Sequence, residues 1–349
     1  MQTHQTLHQH LIEWSGEDTL CQSVAEVVTA ITESCIAITE IIALGSLADP
    51  FPSKSSSDTA DGIPVELNQR ASGILLDELR KAPVACVASE RAEMPQGFDP
   101  AAPLCVAIEP LDGSSNIDTN MSAGTIFSVF PMTCSGCSPS RRCFAKQGSG
   151  QLAAGYVMYG PRTALALTVG AGTHLFTLNP DTGAFCLTRE NVQIPADTNE
   201  FAINTSNFRR WDGHIRAYID DCLKGAEGPH GKNYNMRWIA SLVAECHRIM
   251  MSGGIFLYPG DRRTDYQGGR LRVTYECNPI AMLVEQAGGA ATTGHERILD
   301  LQPEDVHQRA PMIFGSRNEV ELLCHYYREG DSFTERSQLF GNRGLFRTG

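Results

Sequence analysis

The chain has 349 residues and a formal net charge of −12, from 28 basic and 40 acidic residues. This length suffices for two domains with a sizeable core, and a composition of 42% hydrophobic and 19% charged residues excludes a disordered chain or a fibrous repeat. The acidic balance argues against nucleic acid or an anionic membrane as the main partner, although a few basic residues in one cleft can still bind an anionic small molecule.

The first predicted element is an amphipathic helix over 11–48. Glu26, Glu33 and Glu40 recur every seven residues and form one solvated stripe beside valines and isoleucines. These charges argue against a membrane span, and the N-terminus lacks the basic and apolar regions of a secretory signal. The 12 cysteines are scattered, which argues against a disulfide-rich secreted scaffold. We therefore expect a cytoplasmic protein.

Helices and strands alternate beyond a Ser-, Asp- and Pro-rich loop predicted at 45–64. In the first half, a helix is predicted over 65–82 and strands over 84–88, 104–108, 125–130, 152–159 and 164–178. In the second half, a strand is predicted over 201–204 and helices over 212–223, over 236–251 and from Asn278-Pro279 to Gly288-Gly289. The change of pattern near residue 198 predicts two α/β domains, 1–198 and 199–349.

The most informative segment is the acidic turn, residues 109–118, with the sequence EPLDGSSNID. Two carboxylates three residues apart, Glu109 and Asp112, follow a predicted strand and flank the Leu111 carbonyl. Few carboxylates, a backbone oxygen and waters are what Mg²⁺ prefers. Gly113 allows close backbone approach to a ligand, and the N–H groups and hydroxyls that follow can surround a phosphate. This combination predicts metal-assisted phosphoester hydrolysis.

An Asp-Gly turn whose serines cap a helix is the plainer interpretation of the same residues. Two further carboxylates favour the metal site. Glu90 ends another predicted strand, and Glu276 precedes the predicted helix at Asn278-Pro279. Buried carboxylates at strand ends need cations, which supports the interpretation as a metal site.

Several segments carry a family resemblance in the same order along the chain. They are EPLDGSSNID at 109–118, GTIF at 124–127, LAAGYVMYG at 152–160, GGIFLYP at 253–259, LRVTYECNPIAMLVEQAGG at 271–289 and HQRAP at 307–311. By these motifs the sequence resembles class I fructose-1,6-bisphosphatase, bacterial type. The resemblance implies a layered α-β-α-β-α sandwich of the sugar phosphatase type, in which residues 1–198 correspond to the family's allosteric-type domain. It also implies a homotetramer and hydrolysis of the 1-phosphate of fructose 1,6-bisphosphate, in gluconeogenesis or the Calvin cycle.

The resemblance further implies roles for individual residues. Mg²⁺, with Mn²⁺ as an alternative, would be held by Glu90, Glu109, the Leu111 carbonyl, Asp112 and Glu276. Glu90 and Asp112 would be catalytic. The substrate would be bound by Asp112, Gly113, Ser114 and Ser115 at the cleaved phosphate, and by Asn204, Arg237, Tyr258, Arg270 and Arg272 at the sugar and its other phosphate. Among these, Arg237 corresponds to an arginine that reaches a neighbouring subunit's site.

Three residues depart from the family pattern at the metal site. Glu109 stands where the family has Asp, Arg91 where it has a second Glu, and Asn68 where it has an Asp that assists water activation. The general base expected from the family is thus missing, and Glu93 is one candidate to replace it. In the sugar pocket, Trp238 replaces a Tyr.

These departures leave alternatives open. The chain could be a dual fructose-1,6/sedoheptulose-1,7-bisphosphatase, another lithium-sensitive-type sugar phosphatase, or a weakly active or non-catalytic sugar-phosphate-binding homologue. A separate hypothesis concerns Cys134, Cys137 and Cys143, clustered in one connection. They form an inert loop, or a redox switch like the one that chloroplast members carry in this connection at a different spacing; a zinc site would lack its fourth ligand.

Overall fold

Helices and strands alternate along the chain in a computed structural model that describes residues 4–47, 65–133, 141–261, 263 and 268–328. The helices in these ranges are α1 (Leu7–Ser15), α2 (Thr19–Leu44), α3 (Val65–Leu79), α4 (Gly213–Leu223), α5 (Leu242–Ser252), α6 (Asn278–Gln286) and α7 (Arg317–Arg328). The strands are β1 (Val84–Ser89), β2 (Gln96–Gly97), β3 (Leu104–Asp112), β4 (Ala123–Pro131), β5 (Ala153–Tyr159), β6 (Ala164–Thr168), β7 (Thr173–Asn179), β8 (Ala184–Arg189), β9 (Glu200–Ile203), β10 (Asn235–Met236), β11 (Ile255–Tyr258), β12 (Leu271–Arg272), β13 (Ala290–Thr292), β14 (Arg309–Ala310) and β15 (Met312–Gly315).

A large sheet with the order β2-β1-β3-β4-β5-β6-β7-β8 forms from residues 84–189. Its strands pair antiparallel except β1 and β3, which are parallel. One face packs against α1, α2 and α3, and Val28 of α2, Leu75 of α3 and Phe127 of β4 belong to the same buried core. Ile126, the neighbour of Phe127 on β4, faces the opposite way and packs with residues of α5 and α6. The sheet therefore lies between two helical layers, because successive strand side chains point to opposite faces.

A second sheet has the order β10-β9-β11-β15-β13. Ala202 of β9 belongs to the same core as α5 and α6, while its neighbours Phe201 and Ile203 pack with α4 and α7. Helices α5 and α6 thus form the middle layer between the two sheets, and α4 and α7 form an outer layer. This arrangement of five layers confirms the predicted α-β-α-β-α sandwich.

The structure corrects three predicted elements. The helix predicted over 11–48 is two helices, because the chain turns at Gly16 with φ +50° and Asp18 caps α2. The run 164–178 forms the two strands β6 and β7. The helix predicted from 236 begins only at Leu242, where the Ser241 side chain accepts a hydrogen bond from a backbone N–H of the first turn.

Helix α2 is long and apolar enough to cross a membrane by length and composition alone. Its residues Val27, Val28 and Ile31 are fully buried against neighbouring helices and the large sheet. Most of the predicted loop at 45–64 lies outside the described residues, as do Cys134 and Cys137.

Candidate active site

Parallel pairing of β1 and β3 brings the first two carboxylates together. Ser89 pairs with Ile108, so that Glu90, the residue after β1, lies beside Glu109 of β3. Neighbouring parallel strands run in the same direction, and residues that leave them at the same level therefore meet at one edge of the sheet.

A β-bulge in β3 brings Asp112 to the same side as Glu109. Glu109 pairs with Ile126 of β4, but Asp112 pairs with Gly124, so β3 has one extra residue between them. In a regular strand, residues three apart point to opposite faces; the extra residue turns both carboxylates to one face. Pro110 lies in this bulge, where its missing N–H costs no ladder hydrogen bond, and its carbonyl accepts from Thr125 Oγ1 at 2.8 Å.

Glu276 joins the cluster from a single π-helical turn, Val273–Cys277, that leads into α6. Asn278 consequently lies inside the helical segment and is not the cap that the sequence predicted. The Glu276 carboxylate accepts a hydrogen bond from the Arg272 backbone N–H at 2.7 Å and is buried. Such turns are frequent at functional sites because they re-aim a side chain within a helix.

Burial and mutual repulsion dominate the electrostatics of the four carboxylates. Burial raises the pKa of Glu109 well above its ordinary value, and the charges of Glu90, Glu276 and Asp112 add to this. Burial likewise raises the pKa of Asp112 to about 6 and that of Glu276 to about 8. Glu90 differs: burial raises its pKa, but hydrogen bonding with Glu109 and the positive charge of Arg272 outweigh burial and lower it.

A divalent cation fits this donor set. Within the described ranges, Glu109 Oε2 is a buried carboxylate oxygen with no hydrogen-bond partner. A buried, partnerless carboxylate oxygen among three other carboxylates is costly in a protein interior unless a cation offsets its charge. Oxygen donors of this kind suit hard cations.

Arg272 lies on the metal side of the site. Its guanidinium forms an ion pair with Glu90, beside the backbone hydrogen bond to Glu276. The family resemblance predicts a role for Arg272 at the sugar and its phosphate, and nothing in the sequence indicates its pairing with Glu90. Arg91 is exposed, and its charge also lowers the pKa of Glu90. Glu93, the candidate replacement for the general base, is also exposed.

Asn68, the third departure from the family pattern, is a buried residue of α3. It is 2% exposed, and within the part of the chain that the structure describes neither of its amide side-chain atoms has a hydrogen-bond partner. A buried amide without partners is unfavourable by about 1–3 kcal/mol.

The expected phosphate cradle is a tight turn fixed to the start of α5. Gly113 has φ +66°, a left-handed conformation that favours glycine, and Ser114–Asn116 form a 3₁₀ turn in which Ser114 is buried and Ser115 exposed. Asn116 Nδ2 donates to the carbonyls of Ser122 and Ala240, both at 3.1 Å.

Asn116 is a residue whose role sequence reasoning missed, although it stands within the acidic turn. Its bond to Ala240 holds that residue at φ +59°, an uncommon conformation for alanine. Asp112 Oδ2 accepts from the Val243 N–H at 3.3 Å. The acidic turn is therefore attached at two points to residues 237–243, which we call the 237–243 segment.

A cluster of aromatic side chains begins on this segment. Trp238 stacks on Phe256 with ring centroids 5.9 Å apart and lies 6.2 Å from the Tyr258 ring. Arg270 Nη1 donates to the Tyr258 hydroxyl at 3.2 Å. The structure thus brings Tyr258 and Arg270 together and connects them, through Trp238, to the acidic turn.

The other two predicted substrate residues lie at the edges. Asn204 Oδ1 accepts from the Ser206 N–H and hydroxyl, at 3.2 and 2.6 Å, and so caps the turn that follows β9. Arg237 is exposed and its Nε donates to Glu200 at 3.1 Å.

A charge network that the sequence did not reveal supports the 237–243 segment. Arg248 of α5 donates to Glu200 at 2.6 Å and to the fully buried Glu245 at 3.0 Å. Glu245 in turn accepts from the Ile239 N–H at 2.7 Å. The one signal in the sequence is the Glu–Arg spacing of three residues within a helix, which is common on any helix surface.

Comparisons with known proteins agree on one family. The models described as fructose-1-6-bisphosphatase N-terminal domain and C-terminal domain match residues 5–190 and 194–328. The fructose-1,6-bisphosphatase class 1 of Nitrobacter vulgaris is 51% identical over 343 residues, which cover 98% of each chain. That of Sinorhizobium medicae (strain WSM419) is 49% identical over 331 residues, 95% of each chain. The structure of Leishmania major fructose-1,6-bisphosphatase in holo form superposes with a TM-score of 0.84 at 32% identity, covering 94% of this chain and 99% of that chain.

Proposed function

The chain belongs to the class 1 fructose-1,6-bisphosphatase family, and we propose that its four-carboxylate cluster is the Mg²⁺ site at which it acts. It is a phosphoric monoester hydrolase that converts fructose 1,6-bisphosphate to fructose 6-phosphate. The observation that carries the proposed site is the buried Glu109 oxygen without a hydrogen-bond partner among the described residues, surrounded by three further carboxylates.

The residues that would hold the cation are Glu90, Glu109, Asp112, Glu276 and the Leu111 carbonyl. A bound divalent cation offsets the phosphate charge and lowers the pKa of water. Asp112 is oriented by the Val243 N–H, and Glu276 by the Arg272 N–H, so neither carboxylate needs to reorganise during the reaction.

The remaining residues divide between the two phosphates. In our proposal the N–H groups and hydroxyls of the turn from Gly113 to Ser115 bind the phosphate that is cleaved. Asn204, Tyr258 and Arg270 hold the sugar and the distal phosphate, for which a guanidinium is suited by its charge and planar geometry. Arg272 would both orient the metal ligand Glu90, with which it forms an ion pair, and bind the sugar and its distal phosphate.

We propose in addition a cytoplasmic homotetramer that works in gluconeogenesis or the Calvin cycle. Arg237 supports the assembly, because it is exposed and oriented by Glu200, as a residue that enters a neighbouring subunit's site must be. Mn²⁺ is the natural substitute for Mg²⁺ at such oxygen ligands.

Phosphate release should test the metal and the substrate together. We expect release from fructose 1,6-bisphosphate with Mg²⁺ or Mn²⁺ and none in excess chelator. Sedoheptulose 1,7-bisphosphate, assayed in parallel, measures whether the enzyme is dual. Full activity in chelator would contradict the metal assignment, whereas binding of the sugar bisphosphate without turnover under any metal would indicate a non-catalytic homologue.

Arg270→Ala is expected to raise KM for fructose 1,6-bisphosphate by about 10–100-fold with a much smaller change in kcat. The reason is that a charge-assisted hydrogen bond to a phosphate that does not react contributes equally to ground and transition states. Steady-state kinetics at saturating Mg²⁺ measure both constants. Arg270→Lys keeps the charge and should recover most of the loss, and Arg189→Ala, at the exposed end of β8, is the matched control. A fall in kcat at unchanged KM would contradict this role.

A further inference from the structure

A cluster of sulfur atoms lies in the core between β1, β3 and the short 3₁₀ turn that contains Cys143. The thiols of Cys86, Cys105 and Cys143 are buried and lie within 4.8 Å of one another. Cys86 Sγ is 3.4 Å from Cys105 Sγ, and Cys105 Sγ is 3.3 Å from Met132 Sδ. Four sulfur atoms from four segments of the chain therefore meet in one place, which we call the thiol cluster.

An irregularity in β1 contributes to the cluster. Val84 pairs with Leu104 of β3, but the register shifts by one residue immediately afterwards, and Cys86 pairs with Cys105. Without this shift Cys86 would lie opposite Val106. A bulge of this kind disrupts the hydrogen bonds between the strands locally and changes the direction of a side chain. Here it turns Cys86 toward Cys105.

The electrostatics of the cluster favour thiolate at Cys105 and thiol at Cys86, whose pKa is raised by its hydrogen bond to Cys105 and by burial. The hydrogen bond from Cys86 lowers the pKa of Cys105 more than burial raises it, and the charge of Lys146 acts in the same direction. Lys146 is anchored by its bond to the Pro131 carbonyl at 2.6 Å. The positive charge of Lys146 would therefore partly offset the net negative charge of a cation bound by several thiolates.

We propose that Cys86, Cys105 and Cys143, with Met132, form a binding site for one soft monovalent cation, Cu(I). Thiolate and thioether donors select Cu(I), and a three-coordinate thiolate site suits this ion. Zn²⁺ would require a fourth ligand, usually Cys, His or carboxylate, and its structural sites are tetrahedral. Each thiol that ligates the ion releases its proton to solvent, and no electron is transferred.

The thiol cluster is separate from the acidic site. Cys86 and Cys105 each precede a site carboxylate, Glu90 and Glu109, by four residues, which corresponds to about 13 Å along a strand. Soft and hard cations would consequently occupy different ends of the same two strands. The inference does not depend on the proposed phosphatase site.

The test uses the full-length, reduced protein under anaerobic conditions. The background variant carries Cys134→Ser and Cys137→Ser, so that these two neighbours in the sequence cannot contribute. Cu(I) is titrated in competition with the chromophoric chelator bicinchoninate, with Mg²⁺ present to fill the acidic site. We expect one Cu(I) retained per chain, an ultraviolet thiolate-to-copper absorption band and a higher Tm on loading.

Cys143→Ala in this background should lower the apparent Cu(I) affinity at least about 100-fold, whereas Cys35→Ala, a buried cysteine of α2, should leave it unchanged. Met132→Leu provides a milder variant if Cys143→Ala does not fold, and we expect it to weaken Cu(I) binding while keeping the unloaded Tm. Equal Cu(I) retention by the cluster variants and their background would overturn the proposal, as would Zn²⁺ displacing Cu(I) at equal concentration.

Discussion

Glu109→Gln is expected to lower kcat by about 10²–10³-fold or more. The substitution removes one negative charge from the donor set that would bind the cation, and the loss of one preorganised electrostatic contact has effects of this size. The same change relieves the repulsion among Glu109, Glu90, Glu276 and Asp112, so the metal-free Tm should stay within a few degrees of the original value or rise. Activity assays and thermal melts with and without Mg²⁺ measure both effects.

Two matched variants sharpen this test. Glu109→Asp keeps a carboxylate at this position with a side chain one methylene shorter and should keep activity, while Glu17→Gln removes an exposed carboxylate after α1 and should change nothing. If Glu109→Gln retained kcat within threefold of the original enzyme, Glu109 would have no part in cation binding. A collapse of the metal-free Tm would show that its carboxylate is needed for the fold.

In chelator, the enzyme is expected to lose stability as the pH rises from 5 to 8. The folded-state pKa values of about 6 for Asp112 and about 8 for Glu276 lie above the values near 4 of an unfolded chain. In that window the folded chain binds more protons than the unfolded chain, and its free energy of unfolding therefore falls with increasing pH. The loss is several kcal/mol in order of magnitude, or roughly 5–10 °C in Tm.

Glu90 does not reverse this trend. Its pKa is lowered, so its contribution is present above the unfolded value and is lost only at more acidic pH. Mg²⁺ competes with protons for the carboxylates, and its stabilising effect should grow from pH 5 to pH 8. Melting curves at four pH values, with chelator or Mg²⁺, test both statements, and Glu276→Gln should flatten the curve in chelator. A Tm that rises with pH in chelator would contradict the assigned shifts.

Local patterns predicted the elements that hold the site. The apolar runs before Glu90 and Glu109 predict strands, and the carboxylates at their ends predict a cation site. Asp212 and the apolar spacing after it located α4 to within a residue. These features depend on residues close in the sequence, and hydrophobic periodicity and capping rules describe them well.

Contacts between distant residues were beyond the same reasoning. The pairing of Arg272 with Glu90 joins two segments about 180 residues apart in the sequence. The start of α5 depends on Ala240, whose positive φ is held by Asn116 from the acidic turn. Nothing in the residues near Ala240 indicates this conformation, because alanine favours continuing the predicted helix.

The bulge between Glu109 and Asp112 makes the site sensitive to the deletion or insertion of a residue between these two carboxylates. Because side chains alternate along a strand, deleting one residue between the two carboxylates would restore regular pairing and leave both on strand positions of one face, but would draw Asp112 back from the Val243 N–H. Inserting one would send Asp112 to the opposite face, toward the helical layer that contains Val28. The spacing of three residues therefore sets where Asp112 meets the Val243 N–H, and a change of chain length at this point would displace that carboxylate even if both acids were present.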